Sequence, residues 1–186
     1  AVSVCTPPGN HTADFFKLLD YGSAVLMEKP VATRKEDYVM MLRKADEHHV
    51  KVMVGLTQRF YPEVQQAAKW IREGKIGRPV SFEDVMILSG DGLPSWYNDL
   101  NMSGGGVYIT NGVHLLDRMQ FILDSNLSKL LHIDIVKKPN GFDRIADVTG
   151  LLMNGLPFHI HLEWSQAREL KRTVIFGTEG RIVLKA

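Results

Sequence analysis

Three short apolar runs, VSVCT (2–6), AVLM (24–27) and VKVMVGL (50–56), alternate with two segments of helical period. This alternation constrains the fold more than any other feature of the chain. Short runs apolar on both sides read as buried strands of a parallel sheet, and parallel strands require a crossover between them. The first crossover predicts a helix over roughly His11 to Tyr21, with Phe15, Phe16, Leu18 and Leu19 apolar and Gly22 as its stop. The second opens at Thr33, which has capping-box spacing to Glu36. Tyr38, Met41, Leu42 and Ala45 then recur at i, i+3, i+4 and i+7, the stripe of an amphipathic helix. The reading is strand–helix–strand–helix–strand, a parallel sheet covered on both faces.

Ligands of such sheets sit beyond the carboxyl ends of the strands. The clusters TPPGNH, EKP and TQRF follow the three strands, so the pattern predicts one polar rim. A buried strand that ends on Glu28, Lys29 and Pro30 places an acid and a cation where such a fold keeps its chemistry.

From Pro62 the texture changes. Pro62, Val64, Ala67, Ala68, Ile71 and Gly74 mark a short helix, and strand-like runs follow at 80–88, 130–136, 146–153, 157–164, 172–177 and 181–185. Asn154-Gly155 predicts a hairpin between two of them, and residues 178–180 turn the last pair. One helix interrupts the strands, roughly Val107 to Leu123, after SGGG (103–106). Its Thr110, His114 and Asp117 are spaced to stack on one face, and the glycines allow close approach of a backbone or a ligand. The fold class is therefore α/β. Residues 1–59 read as the parallel, helix-covered section, and 60–186 as an α+β domain with a mostly antiparallel sheet. Strand patterns at both ends predict that the sequence is a fragment.

Lys plus Arg total 22 and Asp plus Glu 21, so no charge excess points to nucleic acid or an anionic membrane. No apolar run is long enough to span a bilayer. The single cysteine, Cys5, forms no internal disulfide, which fits a reducing, cytoplasmic setting.

TPPGNH, EKPVAT, QRFYPEV, IREGKIG and SGGGVYITNGVHLLD, in that order and spacing, resemble the glucose–fructose oxidoreductase / inositol dehydrogenase / MocA family. The resemblance implies an oxidoreductase dependent on NAD or NADP, transferring hydride to or from a sugar, polyol or related hydroxy or keto compound. It implies that residues 1–59 are the carboxyl-terminal part of a Rossmann domain and that the mostly antiparallel sheet of 60–186 is open. It implies Lys29 beside nicotinamide and substrate, and His114 as the acid/base. Thr6, Pro7, His11, Glu28 and Pro30 would lie along the cofactor. A family member of this kind commonly forms a homo-oligomer through its open sheet.

Two departures stand out. Thr110 occupies the position, four residues before His114, where the family often has aspartate. The glycine-rich phosphate fingerprint is absent, and it would lie upstream of Ala1. Arg59 reaches cofactor or substrate, or pairs with a carboxylate. Trp96 and Tyr97 line a sugar pocket or fill a core. Asp117 orients His114 or pairs with Arg118. His159, His161 and Glu163 share one strand face; the reading is a solvated face with Phe158, Ile160, Leu162 and Trp164 opposite, and no metal site. The rival function is a non-catalytic binding or assembly module of the same descent.

Overall fold

The computed structural model describes residues 1–139, 141–165 and 169–185. Strands β1 (Val2–Val4), β2 (Val25–Met27) and β3 (Val52–Val54) form a parallel sheet in the order β1-β2-β3. Helices α1 (Pro8–Leu19) and α2 (Lys35–Glu47) are the crossovers. Helix α1 begins three residues earlier than the sequence pattern suggested, because Pro8 is suited to a first helical position.

Among the described residues the helices cover one face of the sheet, where the sequence pattern predicts two. Phe15, Leu19 and Met41 pack on Val4, Val25 and Met27, while Leu26 and Met53 on the other face stay exposed. The strand order explains this. Right-handed crossovers that advance in one direction put both helices on the same side, and only a reversal of strand order covers the other. The predicted capping box does not form either. Arg34 occupies the cap position with no side-chain hydrogen bond, and the Thr33 methyl instead packs where a Cβ of Gly104 would be.

The second half is a six-stranded sheet ordered β5-β6-β7-β4-β8-β9, with β4 and β7 parallel and all other pairs antiparallel. Its strands are β4 (Pro79–Ser89), β5 (Leu127–Lys137), β6 (Asp143–Leu152), β7 (Pro157–Ser165), β8 (Leu170–Gly177) and β9 (Arg181–Lys185). The Asn154-Gly155 hairpin joins β6 to β7, with Gly155 at φ 81°. Helices α3 (Pro62–Arg72), the short α4 (Leu100–Ser103) and α5 (Val113–Leu123) complete the fold.

Strict alternation sorts the sheet into two faces. Phe82, Met86, Val148, Phe158, Ile160, Leu162 and Ile175 point inward onto Val64 and Ala67 of α3 and Leu115, Met119 and Ile122 of α5. The opposite face carries His159, His161 and Glu163, as the alternation predicts. Among the described residues no helix is long and apolar enough to cross a membrane.

Candidate active site

The carboxyl ends of β1 and β2 face the second half of the chain across a cavity of about 170 Å³. Cys5, Thr6, Pro8, Glu28, Lys29 and Pro30 line one side, and Trp96, Tyr97, Ser103 and Thr110 the other. The halves meet closely at Gly9, where a Cβ would overlap the carbonyl oxygen of Asn101. The rim predicted from three strand ends thus holds for two of them. The third cluster, TQRF, forms a 3-10 turn whose arginine points elsewhere.

Lys29 reaches across the cavity. Its Nζ donates to the Thr110 carbonyl oxygen at 3.0 Å. Burial lowers its pKa from the usual lysine value, and the negative charge of Glu28 opposes that shift. The Lys29–Pro30 bond is cis. Behind it, the ring nitrogens of His11 hydrogen-bond to the carbonyl oxygens of Pro30 at 2.9 Å and Thr6 at 2.7 Å. His11 is fully buried. It ties the two strand-end loops together and does not line the cavity, so it braces the site from behind. Thr6 donates its hydroxyl to Asp14, and this bond and Lys17 lower the Asp14 pKa.

Thr110 lies in a π-helical turn, Tyr108–Gly112, which runs directly into α5. Such turns are frequent at functional sites. His114 sits one turn further on. Burial pushes its pKa down to about 4, and the positive charge of Lys29 pushes in the same direction. Asp117 opposes the shift. The ring is therefore neutral at physiological pH, and its Nδ1 is buried without a hydrogen-bond partner among the described residues. His114 is not among the residues that line the cavity, but the charge of Lys29 acts on it. A neutral imidazole so placed can accept a proton and leave the cation to hold an anionic oxygen.

Arg59 resolves to the pairing alternative. Its Nε donates to Asp117 Oδ2 at 2.8 Å, its Nη2 bonds Oδ1, and the guanidinium lies over the Phe121 ring. Asp117 does not pair with Arg118, because successive helical residues diverge around the axis. Arg118 turns into the core and forks onto Asp84, which also accepts from the Thr173 hydroxyl at 3.1 Å.

The GGG segment is filled by protein. The buried Asp143 carboxylate accepts the N–H of Gly106 at 2.6 Å and of Tyr108 at 2.7 Å. A Cβ at Gly106 would overlap the Asp143 carbonyl oxygen, so only glycine fits. An anchored carboxylate at this helix start also suits the helix dipole. Sequence reasoning missed Asp143. Nothing near it in the chain announces a partner 37 residues away.

Trp96 and Tyr97 are both wall and packing. Their rings stack at 3.9 Å, and Tyr97 meets the Trp164 ring edge-on at 5.9 Å. His159 and His161 both hydrogen-bond Asp147 Oδ1, at 2.9 and 3.0 Å, on the open sheet face. Among the described residues no group of three His, Cys, Asp or Glu is arranged to hold a metal ion.

Residues 1–56 match the NAD-binding Rossmann fold of an oxidoreductase family, and residues 64–183 match the GFO/IDH/MocA C-terminal domain. D-xylose 1-dehydrogenase [NADP(+)] of Haloarcula marismortui is 26% identical over 190 residues, covering 98% of this chain and 52% of its own. The 2,7-anhydro-N-acetylneuraminate hydratase of Mediterraneibacter gnavus is 33% identical over 125 residues, 66% of this chain and 33% of its own. The crystal structure of an oxidoreductase domain protein from Kribbella flavida superposes with a TM-score of 0.88 at 22% identity, covering 99% of this chain and 54% of that one. The chain thus spans about half the length of the first of these relatives. The match over residues 64–183 exceeds half of the sequence, and the chain belongs to the GFO/IDH/MocA family.

Proposed function

We propose that the protein is an NAD(P)-dependent oxidoreductase that transfers hydride between nicotinamide and a sugar, polyol or related hydroxy or keto compound. The observation that carries this reading is Lys29, a desolvated cation anchored across the cavity to Thr110, whose charge acts on His114, a neutral base one helical turn further on with an unpartnered nitrogen. The residues present fit the nicotinamide end of the cofactor. The cavity lies beyond the carboxyl ends of two parallel strands and is walled by Thr6, Glu28, Lys29 and Pro30. Pro7 would adjoin them at the start of α1, with His11 bracing the loops and Arg59 acting through Asp117.

Nicotinamide, when bound, supplies the acceptor for hydride leaving the alcohol carbon. The chain manages the oxygen. His114 takes the hydroxyl proton, and Lys29 donates a hydrogen bond to the oxygen as negative charge builds there. The C–O single bond becomes a carbonyl as the hydride departs. In reduction, protonated His114 returns the proton. Thr110 contributes its carbonyl as the tether of Lys29, so a carboxylate at this position is not needed to fix the ammonium. Trp96 offers an aromatic wall to the apolar face of a sugar ring. The relative named D-xylose 1-dehydrogenase [NADP(+)] supports the substrate class.

The mixed open face of the second sheet, together with the exposed edge residues Leu131, Ile133 and Ile135 of β5, supports homo-oligomer assembly through that sheet. The lone cysteine supports a cytoplasmic setting. Calorimetric titration of the protein with NADH and NADPH, followed by an absorbance screen over sugars and polyols, tests the function. Saturable binding with turnover of at least one sugar is expected; absence of both from folded protein would transfer the chain to the assembly-module reading.

A further inference from the structure

A second cavity, about 320 Å³, opens next to the first and shares Tyr97 with it. The cavity at Lys29 is about 170 Å³, below the roughly 300 Å³ at which small-molecule pockets begin, whereas the second falls within that range. The shared Tyr97 makes the two cavities neighbours, close enough for one ligand to reach both. The connecting wall is aromatic. Trp96 stacks on Tyr97, Tyr97 abuts Trp164, and Trp164 stacks on Phe142 at 5.4 Å between ring centres.

The far cavity is cationic. Lys138 and Arg144 line it against a single carboxylate, Asp91. Among the described residues neither cation forms an ion pair. Arg144 is held by its Nε, which donates to the Trp164 carbonyl oxygen at 2.8 Å. That bond uses one edge of the guanidinium and fixes its orientation without neutralising its charge. A guanidinium restrained in this way is suited to an oxyanion, and the neighbouring ammonium adds a movable point charge.

We propose that this cavity is a substrate subsite for the anionic group, carboxylate or phosphate, of a sugar acid or sugar phosphate. The inference rests on the reading of Lys29 and His114 as the redox site, since it puts the reacting carbon there. Asp91 then accepts from a sugar hydroxyl at the rim, and the aromatic wall covers the ring.

Binding is measured first, without turnover: calorimetry of the protein with D-glucose, D-glucuronate, glucose 6-phosphate and inorganic phosphate. At least one sugar anion is expected to bind tenfold or more tighter than glucose, with an affinity that falls as salt rises. Which one prevails identifies the anion. Lys138→Gln, at an exposed position, and Arg144→Gln should each bring the anion-to-glucose affinity ratio down several-fold, and together to near unity. Equal binding of glucose and both anions, an unchanged ratio in the variants, or inorganic phosphate binding as tightly as the sugar anions would overturn the proposal. Turnover is then assayed separately. Anion-selective binding with no oxidation of any sugar would leave the subsite standing and sink the redox reading. Oxidation of neutral sugars with no anion preference would do the reverse.

Discussion

Replacing Asp143 should loosen the start of the helix that carries His114. The carboxylate is buried and satisfies two backbone donors, at 2.6 and 2.7 Å, in the glycine segment before α5. Hydrogen bonds to a charged acceptor contribute about 1.5–3 kcal/mol each, and a buried donor left alone costs about 1–3 kcal/mol. Asp143→Ala strips both donors at once and is expected to destabilise by roughly 3–5 kcal/mol. Asp143→Asn keeps the size but offers one acceptor and turns an NH₂ toward the other donor, so roughly 2–4 kcal/mol is expected. Urea unfolding followed by circular dichroism reads this directly. With a slope of about 2 kcal/mol/M, a loss of 3 kcal/mol moves the midpoint by about 1.5 M. The Thr110 carbonyl that anchors Lys29 belongs to the same turn, so activity should fall with stability in both variants. A loss below about 1 kcal/mol for Asp143→Ala, with activity intact, would refute the idea that this carboxylate organises the site.

The neutral His114 sets the pH response. Its folded pKa of about 4 lies below the ordinary value of 6.5, so the unfolded chain binds the extra proton between them. This contribution to stability is complete above pH 6.5 and is lost as pH falls toward 4; His114→Gln should flatten that part of a stability–pH curve. For alcohol oxidation, kcat/KM should drop through an acid limb near pH 4, and Lys29→Met should move the limb upward by removing a repelling charge. The buried Asp84–Arg118 pair gives a different signature. Arg118→Met alone strands Asp84 and should cost about 3–5 kcal/mol, whereas Asp84→Leu with Arg118→Met should recover most of it. Cys5 is exposed and lines the cavity at Lys29; its alkylation by iodoacetamide should lower activity, and NADH should slow the reaction.

What the sequence revealed and what it hid divide along a physical line. Periodicity and turn chemistry are local, so the parallel strands, α1 and the Asn154-Gly155 hairpin could be read directly. The alternation of Phe158, Ile160, Leu162 and Trp164 against His159, His161 and Glu163 could be read the same way. The position of Lys29 at a strand end was visible too, since strand ends of parallel sheets gather ligands. Its tether was not: Thr110 stood out as a missing carboxylate, yet the group that holds Lys29 is a backbone carbonyl, which every residue carries. Long-range partners were hidden for a related reason. Asp84 with Arg118, Arg59 with Asp117 and Asp143 with the glycine segment are each joined only by the folded chain. The capping box failed because spacing alone did not reveal that the Thr33 methyl packs beside Gly104.

In the proposed mechanism Lys29 and His114 together move the proton and stabilise the oxygen during hydride transfer. The most direct measurement is the rate of NAD(P)H formation from the best sugar substrate for wild-type protein, Lys29→Met and His114→Asn, with folding confirmed by circular dichroism. General acid–base groups contribute about 10²–10⁴-fold, so each variant should lose at least about a hundredfold in kcat while still binding NADH. Variants that turn over within a few-fold of wild type would contradict the account.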